Sequence, residues 1–336
     1  MNFLVLFPAF LSFFITLLIL PSWIKKAEHF GFVGRDMNKI DGRKVSEGGG
    51  ISVITGVIFG ILFYVAIKQF YLKSNSNLIE IFALVISLLM LAVIGLIDGS
   101  LGWRVGLRRR YRIMLCLCAA VPLMVINAGQ SSILLPLIGK VNAGIIYPLI
   151  FIPLAIVCTS TTFNFLAGFN GLEAGQGIII ISALSLVAYF TGSNWLALIG
   201  LIAIASLFAF LFYNFYPSKV FPGDVLTYPV GGLIGIMAIL GNFERIALFF
   251  YIPYIIEFFL KTRGKLVKQS FGLPKKDGSL ALKYPKIYGL EHLAIYLMQK
   301  SGIKTTEKSV VYSIWAFQLL IIIAGFIIFG KYLIAR

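Results

Sequence analysis

Ten times along this chain an apolar run lasts about 17–25 residues, long enough to cross a hydrocarbon core of about 30 Å as a helix. The runs are approximately 3–21, 50–67, 79–97, 111–127, 144–162, 176–192, 194–213, 224–241, 245–262 and 310–332. In lipid every backbone N–H and C=O must find a partner within the protein, so runs of this length are helices packed together. The expected fold is therefore an all-α integral membrane protein, a bundle of about ten transmembrane helices forming a single domain over 1–336. The run 224–241 is the least regular, because Pro229 and several glycines interrupt it. A hydrophobic fraction of 59% and a mean hydropathy of +0.95 agree with this class. No basic segment precedes the first run and no small-residue cleavage site follows it, so a cleaved signal peptide is not expected.

The net charge of +16 could point to nucleic acid, but its distribution argues for a membrane. With ten spans, both termini lie on one side. The loops on the opposite side (22–49, 98–112, 163–175, 214–223 and 262–309, with Lys261) hold 23 of the 29 Lys and Arg. The positive-inside rule makes that side cytoplasmic and both termini extracytoplasmic. The three cysteines, Cys116, Cys118 and Cys158, fall inside predicted spans without C-x-x-C spacing, which supports neither a disulfide framework nor a zinc site. His29 and His292 are too far apart in sequence to suggest a histidine metal site or a catalytic triad.

Unusual polar residues gather in the cytoplasmic loops and at the helix ends bordering them. In "NKIDGRKVSEGGGIS" (38–52), three glycines enter a predicted helix. They either form a flexible turn or expose N–H groups suited to phosphate oxygens, and Glu47 stands beside them. In "LIDGSLGWRVGLRRRYR" (96–112), Asp98 closes an apolar run and five arginines follow, among them Arg104 and Arg108. They serve either as a topology signal or as a phosphate grip, since Arg binds phosphate bidentately. "FNFLAGFNGLEAGQG" (163–177) carries Asn164, Asn170, Glu173 and Gln176 among glycines and contains no Lys or Arg. Such polar groups at a membrane border are costly unless used, and amides suit a nucleobase edge or a hard cation. In "YNFYPSKVFPGDVLTY" (213–228), Asp224 opens a span as either an N-cap or a ligand. Together the four clusters supply acids, amides, glycine backbone and arginines on one face, as a metal–diphosphate beside a lipid requires.

"NFLAGFNGLEAGQG" and "YPSKVFPGD" resemble signatures of the polyprenyl-phosphate N-acetylhexosamine-1-phosphate transferases, above all the branch that makes dolichyl-diphospho-GlcNAc for N-glycosylation in eukaryotes and archaea. The likeness runs from about residue 35 to 290. It implies Mg²⁺-dependent transfer of a sugar-1-phosphate from a UDP-sugar to a polyprenyl phosphate, with release of UMP. Carried onto this chain, Asp224 matches a catalytic, metal-binding aspartate and Asn164 the amide that shares the metal. Gly168 and Asn170 match positions that hold uracil, and Phe221 an aromatic that stacks on it. Glu47 resembles a nucleotide-side acid, and Arg104 and Arg108 are substrate-binding candidates near the lipid phosphate. Asp98 matches the first member of a catalytic Asp-Asp pair whose second member is Gly99 here. A stretch rich in Arg and His in many relatives is "SFGLPKKDG" (270–278), where Lys265, Lys268, Lys275 and Lys276 are candidate substitutes.

The partners this implies are a UDP-N-acetylhexosamine, polyprenyl or dolichyl phosphate and membrane lipid, with a homodimer as a further candidate and no nucleic acid. The implied location is the archaeal cell membrane, or the endoplasmic reticulum membrane in a eukaryote, with the site on the cytoplasmic face. Gly99 keeps a second reading open, a binding protein that has lost turnover. Transport would need acids deep in a span, and the one candidate, Glu257, has Lys261 one turn on as a partner.

Overall fold

The computed structural model describes residues 3–100, 106–135 and 139–334. Helices α1 (Phe7–His29), α2 (Gly50–Ala66), α3 (Leu78–Ser100) and α4 (Arg109–Val125) fill the first part. They are followed by α5 (Ile152–Phe163), α6 (Leu172–Phe190), α7 (Asn194–Asn214), α8 (Asp224–Gly241), α9 (Glu244–Phe250) and α10 (Ile252–Arg263). A short α11 (Leu290–Lys300) precedes the last helix, α12 (Glu307–Ile334). Every one of the ten apolar runs lies on helix. Among the described residues, seven helices are long and apolar enough to cross a membrane: α1, α2 with a π-turn over Ile67–Tyr71, α3, α6, α7, α8 and α12. The other three runs fall on shorter pieces. One is α4, one joins a π-turn at Tyr147–Phe151 to α5, and one is divided at Tyr251, with Pro253 behind the break, into α9 and α10.

The all-helical expectation needs one addition, three two-stranded antiparallel hairpins: β1 (Val33–Arg35) with β2 (Lys44–Ser46), β3 (Ser132–Leu135) with β4 (Gly139–Asn142), and β5 (Leu273–Pro274) with β6 (Leu280–Ala281). Short strands in connecting segments carry no long periodic signal, so hydropathy does not reveal them.

The interrupted run 224–241 forms the most deeply buried of the seven long helices. Its glycines are contact points. A Cβ on Gly231 would sit 2.4 Å from the Thr159 carbonyl oxygen on α5, and one on Gly232 would meet Leu91 of α3 at 2.2 Å. Small residues let helices approach where lipid supplies no hydrophobic drive toward association. The same logic joins α1, α2 and α7, where Thr16 Oγ1 and Ser206 Oγ lie 2.5 Å apart and Ser206 donates to the Val53 carbonyl at 2.9 Å.

The triple glycine before α2 corrects the expectation of bare amides. Gly49 N–H donates to the Phe221 carbonyl at 2.9 Å and Gly50 N–H to the Pro222 carbonyl at 3.0 Å. A Cβ on Gly50 would lie 2.6 Å from the Leu226 nitrogen, so backbone meets backbone here. The glycines therefore fasten the start of α2 to the start of α8, and the same seam continues in the Ser46–Val220 bridge.

The closest approach that bears on chemistry is between α3 and α8. A Cβ on Gly95 would lie 2.2 Å from the Asp224 carbonyl oxygen. Gly→Ala inside a helix ordinarily gains about 1 kcal/mol. Gly95→Ala is expected to do the reverse and cost about 1–3 kcal/mol through overpacking against backbone that cannot yield. A lowered apparent melting temperature in detergent checks this, and a raised one refutes the contact.

Candidate active site

Asp98 lies in the last turns of α3, where the helix dipole disfavours a carboxylate, and its side chain is buried. Four contacts from three residues offset that cost. Oδ1 accepts from the Leu107 N–H at 2.7 Å and from Arg112 Nη2 at 3.2 Å, while Oδ2 accepts from the Tyr228 hydroxyl at 2.9 Å. Arg112 Nε also stands 2.8 Å from Oδ2, an ion-pair contact that adds charge to the Nη2 hydrogen bond. Tyr228 reaches Asp98 from α8, one turn beyond Asp224.

Asp224 is the first residue of α8, and Gly223 (φ +66°) occupies the N-cap position without a side-chain capping bond. The carboxylate is thus not spent on capping its own helix. Its Oδ1 accepts from Asn164 Nδ2 at 2.8 Å, and its field neighbours are Asp98 and Arg112. Asn164 follows the last residue of α5, so three helices (α3, α5 and α8) and Arg112 on α4 converge at one end of the bundle.

The remaining candidates group beside this centre. Gly168, at φ +105°, needs the freedom of glycine, and a Cβ there would meet the Phe271 ring at 2.7 Å. Its N–H donates to Glu173 Oε1 at 2.9 Å and its carbonyl accepts from Asn38 Nδ2 at 2.9 Å. Asn170 is buried. Its N–H donates to Glu307 Oε1 at 2.9 Å and its Nδ2 to Asp36 Oδ2 at 3.2 Å, which leaves its side-chain oxygen as the acceptor not engaged. Phe221 is held through its backbone, N–H to the Ser46 carbonyl at 2.7 Å. Glu47 folds back over Gly34, with Oε1 standing where a Cβ at residue 34 would be, and burial pushes its carboxyl above the ordinary carboxylate range.

The arginines divide. Arg112 belongs to the centre, Arg108 is exposed and pairs with no carboxylate among the described residues, and Arg104 lies outside the described residues. The lysines of the last loop divide as well. Lys268 lies over the Tyr284 and Tyr288 rings at 5.1 and 5.9 Å, while Lys275 and Lys276 line a separate cleft. Glu257 and Lys261 form the expected pair at 3.2 Å, and the three cysteines are free thiols. Among the described residues, a Cβ on Gly99 meets nothing within 4 Å.

Tyr228, Arg112, Asp36, Asn38 and Glu307 are the structure's additions. Tyr228 is readable from its i+4 spacing to Asp224. Arg112 is one of five arginines that sequence alone cannot rank. Asp36 and Glu307 reach Asn170 from segments more than 100 residues away, and no local pattern announces that contact.

One acid and one amide stand side by side, and an asparagine that turns its amide presents an oxygen beside Asp224. Among the described residues no three His, Cys, Asp or Glu side chains group closely enough to hold a metal alone. Magnesium suits such a site, since it takes one or two carboxylates and completes its shell with phosphate oxygens and water.

A bundle of membrane-length apolar helices with acids, amides and a paired arginine gathered at one end defines an integral membrane protein with a polar centre. Comparison with known proteins gives the family. Residues 81–242 match glycosyl transferase family 4. The chain is 37% identical, over 96% of both chains, to a Saccharolobus solfataricus protein provisionally named UDP-N-acetylglucosamine–dolichyl-phosphate N-acetylglucosaminephosphotransferase. It is 31% identical to the Dictyostelium discoideum protein of that name, over 77% of this chain and 70% of that one. It is 26% identical to the phospho-N-acetylmuramoyl-pentapeptide-transferase of Chlamydia muridarum, over 76% and 82%. The chain therefore belongs to glycosyl transferase family 4.

The Asp98–Arg112 pair gives a thermodynamic test. Arg112→Leu leaves Asp98 buried beside Asp224 and is expected to cost up to about 3 kcal/mol. Adding Asp98→Asn in the same chain should recover part of that loss. Two fully additive losses in a double-mutant cycle would show that the pair does not interact.

Proposed function

We propose that this chain transfers N-acetylglucosamine-1-phosphate from UDP-GlcNAc to a polyprenyl or dolichyl phosphate, releasing UMP, as the first step of lipid-linked glycan assembly. The observation that carries the reading is the Asn164–Asp224 pair beside the Asp98–Arg112 clamp, in a chain that matches a UDP-GlcNAc–dolichyl-phosphate phosphotransferase over nearly its whole length. In the reaction an oxygen of the lipid phosphate attacks the phosphorus bearing the sugar. The bridging P–O bond breaks and its electron pair leaves with UMP. A lipid phosphate, with a second pKa near about 6 as phosphoesters have, is largely deprotonated at neutral pH and needs no strong base. This accounts for turnover with Gly99 in place of a second aspartate.

Each residue then has a physical task. Asp224 and Asn164 would hold Mg²⁺, which when bound would offset the repulsion between two phosphorylated substrates. Asp98 already accepts from Leu107, Arg112 and Tyr228, so it acts by fixing Arg112. That guanidinium donates to Asp98 through Nη2, which leaves further N–H groups for the acceptor phosphate. Gly168, Asn170 and Phe221 form the uracil side, with Glu47 on the ribose and nucleotide side. The site sits on the cytoplasmic face of a ten-span bundle whose termini face outward, in an archaeal cell membrane. The shorter α4, α5 and the α9–α10 pair complete the ten, and the distribution of Lys and Arg supports that orientation. A homodimer is compatible with the exposed apolar helix faces.

Membranes given UDP-GlcNAc, polyprenyl phosphate and Mg²⁺ should release UMP, and chelation of the divalent ion should stop it. Asp224→Asn and Asn164→Ala are expected to lower kcat by at least about 10²-fold, the scale of losing one preorganised electrostatic group. Undiminished turnover in either variant sinks the metal assignment. Gly99→Asp has room for its side chain and should change the rate less than tenfold. An inert natural chain that gains activity on that substitution would instead favour the binding-protein reading.

A further inference from the structure

Beside the candidate active site, and lined by neither Asp98, Asn164 nor Asp224, lies a cleft of about 570 Å³. Three separate segments build it: the 38–41 loop, the β5–β6 hairpin with its Lys275 and Lys276, and the start of α12 at Thr306–Lys308, with Tyr216 beside them. Four lysines (Lys39, Lys275, Lys276 and Lys308) line it against two acids, Asp41 and Glu307. Glu307 is already paired with Lys39. Among the described residues, none of the Lys275, Lys276 and Lys308 ammonium groups pairs with a carboxylate. Lys39 and Lys308 both lie against the Tyr216 ring, at 4.1 and 5.0 Å from its centroid, so two like charges share one aromatic ring. The N-terminus of α12, a helix of 28 residues, adds the positive end of its dipole at the same place. The volume falls within the range of small-ligand sites, and lysines serve phosphate as point charges.

Lys39 ties this cleft to the nucleotide loop. Besides its bond to Glu307 it stands 3.6 Å from Asp36 Oδ2. Glu307 and Asp36 are the two buried carboxylates that hold Asn170, one through the main-chain N–H and the other through the side-chain amide. One ammonium group therefore pairs with both clamps on Asn170, with Arg43 a second cation 3.8 Å from Asp36, and also lines the lysine cleft.

We propose that this cleft is a second site, separate from the transfer centre, that binds a phosphate-bearing anion and is linked to Asn170 through Lys39. Negative charge in the cleft draws on Lys39 and so shifts the balance on Glu307 and Asp36. The link between sites is reciprocal, so UDP-GlcNAc and the anion change each other's affinity by the same factor. The binding itself does not depend on the function proposed above; only its effect on UDP-GlcNAc rests on that reading.

The test uses full-length protein in phosphatidylcholine nanodiscs without divalent ions, titrated calorimetrically with inorganic pyrophosphate. Saturable binding is expected, undisturbed by UMP and weakened at least tenfold in a Lys275→Ala/Lys276→Ala/Lys308→Ala variant. The corresponding triple Lys→Arg variant should keep it, which separates charge from folding. Nanodiscs containing phosphatidic acid distinguish the source of the phosphate. Suppressed pyrophosphate binding there identifies a lipid headgroup as the occupant, and unchanged binding identifies a free phosphate compound. Absence of saturable binding in neutral nanodiscs, equal binding in the alanine variant, or displacement by UMP overturns the site. In a transfer assay at fixed free Mg²⁺, pyrophosphate should shift KM for UDP-GlcNAc at least threefold in the natural chain and not in the alanine variant. A KM that stays constant in the natural chain overturns the link to Asn170, and a chain without turnover leaves the calorimetric result standing on its own.

Discussion

The approach of α3 to α8 at Gly95 is the constraint on which the centre depends. With backbone against backbone, the C-terminal end of one helix and the N-terminal end of the other come level. Asp98 and Asp224, 126 positions apart in the chain, become neighbours. The two ends have opposite electrostatic character. The N-terminus of α8 favours the Asp224 carboxylate, whereas the C-terminus of α3 opposes that of Asp98. Arg112, Tyr228 and the Leu107 N–H supply what the helix end withholds from Asp98. Two acids side by side thus have different surroundings: Asp98 accepts from Leu107, Arg112 and Tyr228, and Asp224 from Asn164.

Around that pair the glycines act mainly as spacers. Gly49 and Gly50 lose their amides to the Phe221 and Pro222 carbonyls, and in doing so hold the segment before Asp224 against the start of α2. Gly231 and Gly232 bring α8 against α5 and α3. In a medium that offers no hydrophobic preference for protein over lipid, such close approaches and the hydrogen bonds they permit are the main source of order between helices. A stretch that reads as a poor helix former is therefore the centre of the bundle.

The side around Gly168 and Asn170 is organised differently, by charge. Asn170 is held by carboxylates from the segment before α2 and from the start of α12, and Lys39 pairs with both, with Arg43 a second cation at Asp36. Burying two acids without that ammonium would be costly, and with it the loop around Gly168 and Asn170 has a defined shape. Phe271 over Gly168 brings the last long loop to the same place. The interior of the protein thus links three loops that a linear reading keeps apart.

Hydropathy alone determined the class of fold, because a long apolar run in lipid has only the helix as an economical way to pair its own backbone. Local composition singled out Asn164, Asn170 and Asp224 as unusual polar residues at helix ends, and the resemblance of two motifs to a known family added Gly168 and Phe221. What the chain by itself could not rank were partners chosen at long range. Arg112 stood among five equivalent arginines until packing aimed it at Asp98, and Asp36 and Glu307 had no pattern to distinguish them from surface acids. The glycine amides before α2 looked free until the fold brought carbonyls to them. Tertiary structure decided these points because hydrogen bonds and ion pairs depend on distance in space, and the close contacts between helices, not the order of residues, set those distances.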